Sequence, residues 1–150
     1  MAAARLAIND DLAALLALLP QANPSMPPLP DERARLIWHE TMARDGVFVF
    51  VSEAARKIVA SCMLITAPNL MRGGCGHGFI ENVVTHRDFR RRGHGEAVIK
   101  AALQMAWAND CYHVLLQSGR KDPGVHRFYR SCGLKPGLRI GYVAHRPESE

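Results

Sequence analysis

The sequence predicts an α/β fold, and three observations carry that prediction. The apolar run Phe79-Ile80-Glu81-Asn82-Val83-Val84-Thr85 is followed by a glycine-rich turn, Arg90-Arg91-Arg92-Gly93-His94-Gly95, and then by a helical pattern reaching Asn109. A second apolar run, Tyr112-His113-Val114-Leu115-Leu116, precedes a segment with helix start and stop signals at Asp122 and Gly133. Finally, 150 residues of which 48% are hydrophobic suffice for one domain, residues 1–150, with a buried core.

Taken in order, residues 5–8 read as a short first strand. Asp10 or Asp11 is placed to cap a helix over residues 12–19, because an Asp oxygen can accept from the orphan N–H groups of a first turn. Pro20, Pro24, Pro27, Pro28 and Pro30 then exclude regular helix, since proline lacks the donor and clashes with the preceding turn. Asp31 starts a second helix whose inward face is read as Ala34, Ile37, Trp38 and Thr41. Residues 47–51 and 57–66 read as two strands joined by a turn near Glu53-Ala54, and their poor alternation implies a sheet covered on both faces. In the helix after the glycine turn, Glu96, Lys100 and Gln104 mark the solvent face, with Glu96 and Lys100 forming an i, i+4 pair. Trp107 falls near that stripe and reads as boundary packing or as a subunit contact. The next helix has Asp122 as cap, Pro123 in its first turn and Gly133 beyond its end, with Val125, Phe128, Tyr129 and Cys132 as its apolar face. Residues 139–146 read as a final strand.

Composition narrows the function classes. No apolar run approaches the ~20 residues of a membrane span. Asn9, Asp10 and Asp11 precede the first apolar stretch, so residues 1–19 do not read as a signal peptide, and a cytoplasmic location is expected. Cys62, Cys75, Cys111 and Cys132 form no Cys-x-x-Cys pair and are expected as thiols; Cys75-x-His77 has no matching second pair, so no metal is expected. The net charge of +5 admits nucleic acid, but the basic residues at 87, 90, 91 and 92 sit beside the glycine turn and no aromatic residues interleave them. A local anion site explains that cluster more economically, and no nucleic-acid partner is expected.

The glycine turn itself points to a pyrophosphate. Glycines between a strand and a helix let backbone N–H groups crowd a phosphate, and the helix N-terminus adds partial positive charge. The string Gly-x-x-x-x-Gly-Lys-Ser/Thr is absent, and Gly93-x-Gly95 lacks the third glycine of a dinucleotide fingerprint, position 98 being Val98. Gly73, Gly74, Gly76 and Gly78 lead into a strand and read as a flexible connector.

Strand, Arg-x-x-Gly-x-Gly, long helix, strand and a helix carrying Phe128-Tyr129 resemble, over residues 78–134, the GNAT superfamily of acetyl-CoA-dependent N-acetyltransferases. The resemblance implies a GNAT fold: a mixed, mostly antiparallel sheet flanked by helices. It implies acetyl transfer from acetyl-CoA to a small-molecule amine by direct attack in a ternary complex, the alternative being a non-catalytic acetyl-CoA-binding module. It places the cofactor on Val83, Val84, Thr85, Arg90, Arg91, Arg92, Gly93, His94, Gly95, Glu96 and Phe128. Glu81 is then the base, or else a carboxylate paired with a neighbouring cation; Tyr129 is the acid that protonates the leaving thiolate, or else a core residue. Asn82 and Arg72 are expected on the acceptor side, and a homodimer is expected. Within the superfamily the segment is similar to the glucosamine-6-phosphate N-acetyltransferase subgroup through Gly78-x-x-Glu81-Asn82-Val83-Val84 and Cys111-Tyr112, though that subgroup has an acidic residue at the place of Asn82. The family usually has Asn at the place of Asp122, which is therefore read as a helix cap only. The proline-rich segment and the Gly73–Gly78 loop flank the expected acceptor site; neither carries a carboxylate, which favours an anionic amine over a polyamine.

Overall fold

Nine regular elements follow one another in a computed structural model that describes residues 1–148. They are β1 (Ala4–Leu6), α1 (Leu12–Leu18), α2 (Asp31–Ala43), β2 (Val47–Ala54), β3 (Lys57–Ala67), β4 (Gly76–Thr85), α3 (His94–Ala108), β5 (Cys111–Leu116) and α4 (Pro123–Ser131). The strands form one sheet in the order β1-β2-β3-β4-β5. Every neighbouring pair is antiparallel except β4 and β5, which are parallel and joined through α3. A parallel pair needs such a crossover, whereas β2 and β3 need only a hairpin. The chain divides into two compact units, Met1–Leu116, which holds the whole sheet, and Gln117–Glu150, which holds α4.

Both faces of the sheet are covered in the first unit, as the weak alternation of β2 and β3 implies. On one side α3 packs against β2, β3 and β4 with Val98, Ile99, Ala102 and Ala106 buried. On the other, Ala7, Leu15, Leu18, Val51, Ile58 and Val84 form a cluster, with Trp38 packed against it. Phe50 and Val51 are thus both buried although they point to opposite faces. At ~25 cal/mol per Å², each large apolar side chain removed from water contributes roughly 1.5–3 kcal/mol, so this double cover is the main source of stability.

Local chemistry sets the element ends, with some departures from the sequence reading. The β2–β3 hairpin turns at Ala55 and Arg56, both left-handed (φ 49° and 61°), one step beyond the Glu53-Ala54 expected from the sequence. Asp11 precedes α1 but does not cap it with its side chain. Its carboxylate instead accepts from the Ile8 N–H at 2.8 Å and from Arg5 Nη1 at 2.8 Å, and the Arg5 guanidinium holds the carboxyl below its usual range. Arg5 also pairs with Glu53, tying β1 to β2. In α2, Ala34 is buried and Trp38 and Thr41 half-buried, but Ile37 is exposed: only the 34-38-41 stripe meets the sheet. Of the glycine connector, Gly73 and Gly74 are open turn residues, whereas Gly76 and Gly78 lie inside β4. The strand expected over residues 139–146 is absent from the described residues: this segment joins no ladder, and Ile140, Tyr142 and Val143 are exposed. Its apolar pattern suits a strand, but a strand exists only where a neighbour takes its hydrogen bonds.

Gly76 shows how tightly the sheet is built. A Cβ there would lie 2.7 Å from the Ala67 carbonyl oxygen, backbone that cannot step aside. Gly76→Ala is expected to destabilise the protein by about 1–3 kcal/mol, lowering the midpoint of thermal unfolding followed by circular dichroism by several degrees.

Candidate active site

The site is built on β4. Its ladder with β3 pairs Met63 with Glu81 and Ser61 with Val84. Two steps along β3 therefore match three along β4, a β-bulge, and Asn82 takes the left-handed conformation there (φ 53°). Asn tolerates that conformation better than most residues because of its short polar side chain. The bulge reverses the strand's alternation. Ile80 belongs to the α3 side, where Gly78 approaches Ala106, yet Val84 joins the α1 cluster. The ladder with β5 covers residues 76–80 and ends at the Ile80–Leu116 pair. Among the described residues, Glu81, Val84 and Thr85 thus have a ladder partner on the β3 side only, and Asn82 and Val83 have none. Backbone donors and acceptors left at such an edge are available to a ligand.

Glu81 stands at this bulge. Its side chain is exposed and makes no hydrogen bond or ion pair among the described residues. The reading of Glu81 as half of a structural ion pair is therefore not what the structure holds. Asn82 beside it is exposed too.

From Thr85 the chain runs through a 3-10 turn, Arg87–Phe89, into the glycine-rich turn. Arg91 and Gly93 are both left-handed (φ 60° and 85°), and α3 starts directly after Gly93 with no side-chain cap. The N–H groups of that first turn have no intrahelical partner, so they and the helix dipole are left for an anion. Arg90 Nε donates to the Thr85 carbonyl oxygen at 3.3 Å, which draws the turn back onto the end of β4. Arg92 lies over the Phe89 ring at 5.4 Å, and Arg91 is exposed. Glu96 pairs with Lys100 at 2.5 Å, as the spacing predicts.

His94 is placed differently from its basic neighbours. It is 8% exposed, with Nδ1 2.8 Å from Ser52 Oγ. Ser52 Oγ donates to the Ala3 carbonyl oxygen at 2.6 Å, so its single hydrogen is used and Nδ1–H is the donor to Ser52. The ring therefore faces the core, and His94 offers an anion its backbone N–H. Ser52 is 1% exposed and carries this tie. Nothing in the sequence marks it, because a lone Ser in an apolar strand has no motif around it.

Arg72 lies at the other end of β4, its guanidinium 5.3 Å from the centre of the Tyr112 ring. It is thus far along the strand from the glycine-rich turn and near His77 and His113, whose ring nitrogens are 3.4 Å apart. In the second unit, Asp122 accepts from the Gly124 N–H at 2.8 Å, the helix cap expected of it. Phe128 and Tyr129 are half-buried on α4 with ring centroids 5.1 Å apart, and Gly133 (φ 90°) closes the helix. None of the four cysteines is in a disulfide. Burial pushes the Cys62 thiol up to about 12 and raises that of Cys111, so neither is poised as a nucleophile.

Comparison with known proteins agrees with this geometry. The acetyltransferase (GNAT) family matches residues 12–134. A glucosamine 6-phosphate N-acetyltransferase of Trypanosoma brucei brucei is 33% identical over 87 residues, which cover 58% of this chain and 57% of that protein, a little over half its length. Glucosamine 6-phosphate N-acetyltransferase 1 of rice, Oryza sativa subsp. japonica, is 32% identical over 134 residues, 86% of this chain and 78% of the relative. The solved structure of a putative acetyltransferase from Agrobacterium tumefaciens superposes with a TM-score of 0.90 at 38% identity, covering 96% of this chain and 99% of that one.

The glycine-rich turn yields a direct test. An added Cβ at Gly93 meets only the Ala2 methyl group, at an ordinary 3.6 Å, so the constraint is its left-handed backbone. Gly93→Ala is expected to cost about 1–2 kcal/mol of strain and to weaken coenzyme A binding in calorimetry, while the circular dichroism spectrum stays that of the folded protein.

Proposed function

The chain belongs to the acetyltransferase (GNAT) family, and we propose that it moves an acetyl group from acetyl-CoA to a primary amine of a small molecule, by direct attack in a ternary complex. The observation that carries this reading is the β4 edge, without a β5 partner beyond Ile80, running into a glycine-rich helix N-terminus with an unpaired carboxylate at its bulge. The donor set fits the cofactor. The N–H groups of residues 94–96 and Arg90, Arg91 and Arg92 suit a pyrophosphate, and the backbone of Val83, Val84 and Thr85 suits the amides of a pantetheine arm. Phe128 is assigned to the cofactor side by resemblance.

When bound, acetyl-CoA supplies an acyl group activated as a thioester. The rest is done by this chain. Glu81 takes the proton of the incoming ammonium at its carboxylate, directly or through water, because only a neutral amine attacks. Asn82 and Arg72 hold the acceptor. Tyr129 gives its hydroxyl proton to the departing sulfur, a role that rests on resemblance through the Phe128-Tyr129 pair. The charge on the acyl oxygen is met by backbone donors of β4. The relatives named above are glucosamine 6-phosphate N-acetyltransferases, and Arg72 favours an anionic acceptor, so glucosamine 6-phosphate is the first amine to assay. The family match runs from the first unit into the second, as far as residue 134, which supports one catalytic domain. The exposed Leu138, Ile140, Tyr142 and Val143 support a homodimer. A cytoplasmic location is part of the same proposal.

Two variants test the assigned roles. With acetyl-CoA and an accepted amine, Glu81→Gln and Tyr129→Phe are each expected to lower kcat by ~10²-fold while calorimetric acetyl-CoA affinity is nearly kept. Wild-type turnover in either variant, with chemistry rate-limiting, removes that residue from the mechanism. Tight acetyl-CoA binding without acetylation of any amine makes the chain a binding module.

A further inference from the structure

The face of β4 that bears Glu81 carries a second group of side chains. Up to the bulge the strand alternates, so His77, Phe79 and Glu81 point to one side and Gly76, Gly78 and Ile80 to the α3 side. At ~3.4 Å per residue, the His77 Cα lies roughly 13 Å from that of Glu81. Across the parallel ladder His77 pairs with His113, while Gly76 pairs with Cys111, so Tyr112 is thrown out of register. Its ring comes to lie 5.4 Å from that of His77 and 3.9 Å from that of His113. The Arg72 guanidinium sits over the Tyr112 ring at 5.3 Å. His77 Nδ1 and His113 Nε2 are 3.4 Å apart.

We propose that Arg72, His77 and His113, gathered around the Tyr112 ring, form a subsite for the oxyanion of the acceptor, a phosphate or a carboxylate, whose amine reaches Glu81 at the other end of the same face. The identity of the ligand as an acetyl acceptor rests on the acetyl-transfer reading; the oxyanion site does not. Three groups able to carry positive charge converge, and among the described residues no carboxylate pairs with Arg72 or His77. Asp110 faces Cys75, with 3.8 Å between Sγ and Oδ1. The Arg72 guanidinium lies over the Tyr112 ring, and its planar fork of N–H groups suits bidentate contact with an oxyanion. The two imidazoles share one hydrogen between their facing nitrogens, which leaves the outer ring nitrogen of His77 for a ligand. A positively charged acceptor end would be repelled here, so the subsite sorts amines by the charge at their far end. The separation of the two ends suits a molecule the size of a sugar phosphate or an amino acid derivative.

Two measurements test this. The first follows the imidazole signals of His77 and His113, assigned through His77→Gln and His113→Gln, by NMR during titration with inorganic phosphate and, separately, with acetate. A saturable shift of both signals, lost in Arg72→Ala, is expected, and the tighter of the two anions identifies the oxyanion. Signals that neither anion moves, or that move equally in Arg72→Ala, overturn the subsite. The second compares glucosamine 6-phosphate with glucosamine as acceptors. His77→Gln is expected to raise KM for the phosphorylated amine on the order of tenfold and to leave KM for glucosamine and for acetyl-CoA unchanged. Equal changes for both amines, or a wild type that prefers uncharged or polycationic amines, overturn it. If the wild type acetylates no amine at all, the acetyl-transfer reading fails, and the NMR titration still decides whether the oxyanion site exists.

Discussion

The bulge at Asn82 is the constraint on which the site depends. One extra residue in β4 changes which side chains meet which layer. Before it, the strand buries Ile80 with the α3 side; after it, Val84 reaches the α1 cluster. Without the bulge Val84 would change face, since a one-residue change in register moves every later side chain to the other side of the sheet. The burial of Val84 and Ile80 in opposite layers therefore holds the bulge in place. The same irregularity leaves Glu81 and Asn82 exposed in the middle of a sheet that is otherwise covered on both sides. An exposed, unpaired carboxylate on a central strand adds little to folding.

The glycine-rich turn depends on a second, buried arrangement. The chain from the Ala3 carbonyl through Ser52 to His94 joins β1, β2 and the first residue of α3. Both polar side chains are nearly inaccessible, and losing one partner would leave the other unsatisfied at a cost of about 1–3 kcal/mol. The turn that presents N–H groups outward is thus anchored from behind by a ring that points inward. This separates three tasks within Arg-x-x-Gly-x-Gly. Gly93 supplies the backbone conformation and the arginines supply charge, whereas His94 supplies the anchor.

Much of this was legible in the sequence, and the gaps have physical causes. The order strand, glycine turn, helix, strand, capped helix could be read because each junction carries local chemistry: Gly93 at a left-handed position, Asp122 and Pro123 at a helix start, Gly133 past its end. Glu81 could be singled out as a carboxylate in an apolar strand. Other features were not legible. The side chain of Asp11 turns back to the Arg5 guanidinium and the Ile8 N–H rather than to the start of α1, held there by the charge-assisted bonds from Arg5. Residues 139–146 have a strand-like pattern but no neighbour, and a neighbour is a tertiary fact. The group of Arg72, His77, Tyr112 and His113 joins a loop and two strands far apart in the chain, so no local spacing reveals it.

The central claim is that the open edge of β4 and the N-terminus of α3 form one cofactor site. Amide hydrogen exchange, measured with and without acetyl-CoA, tests it most directly. The account predicts slowed exchange at the amides of residues 83–85 and 93–96, with little change at residues 76–80, whose ladder to β5 is complete without a ligand. Unchanged exchange at both predicted segments while acetyl-CoA is bound, or protection confined to other parts of the sheet, would contradict it.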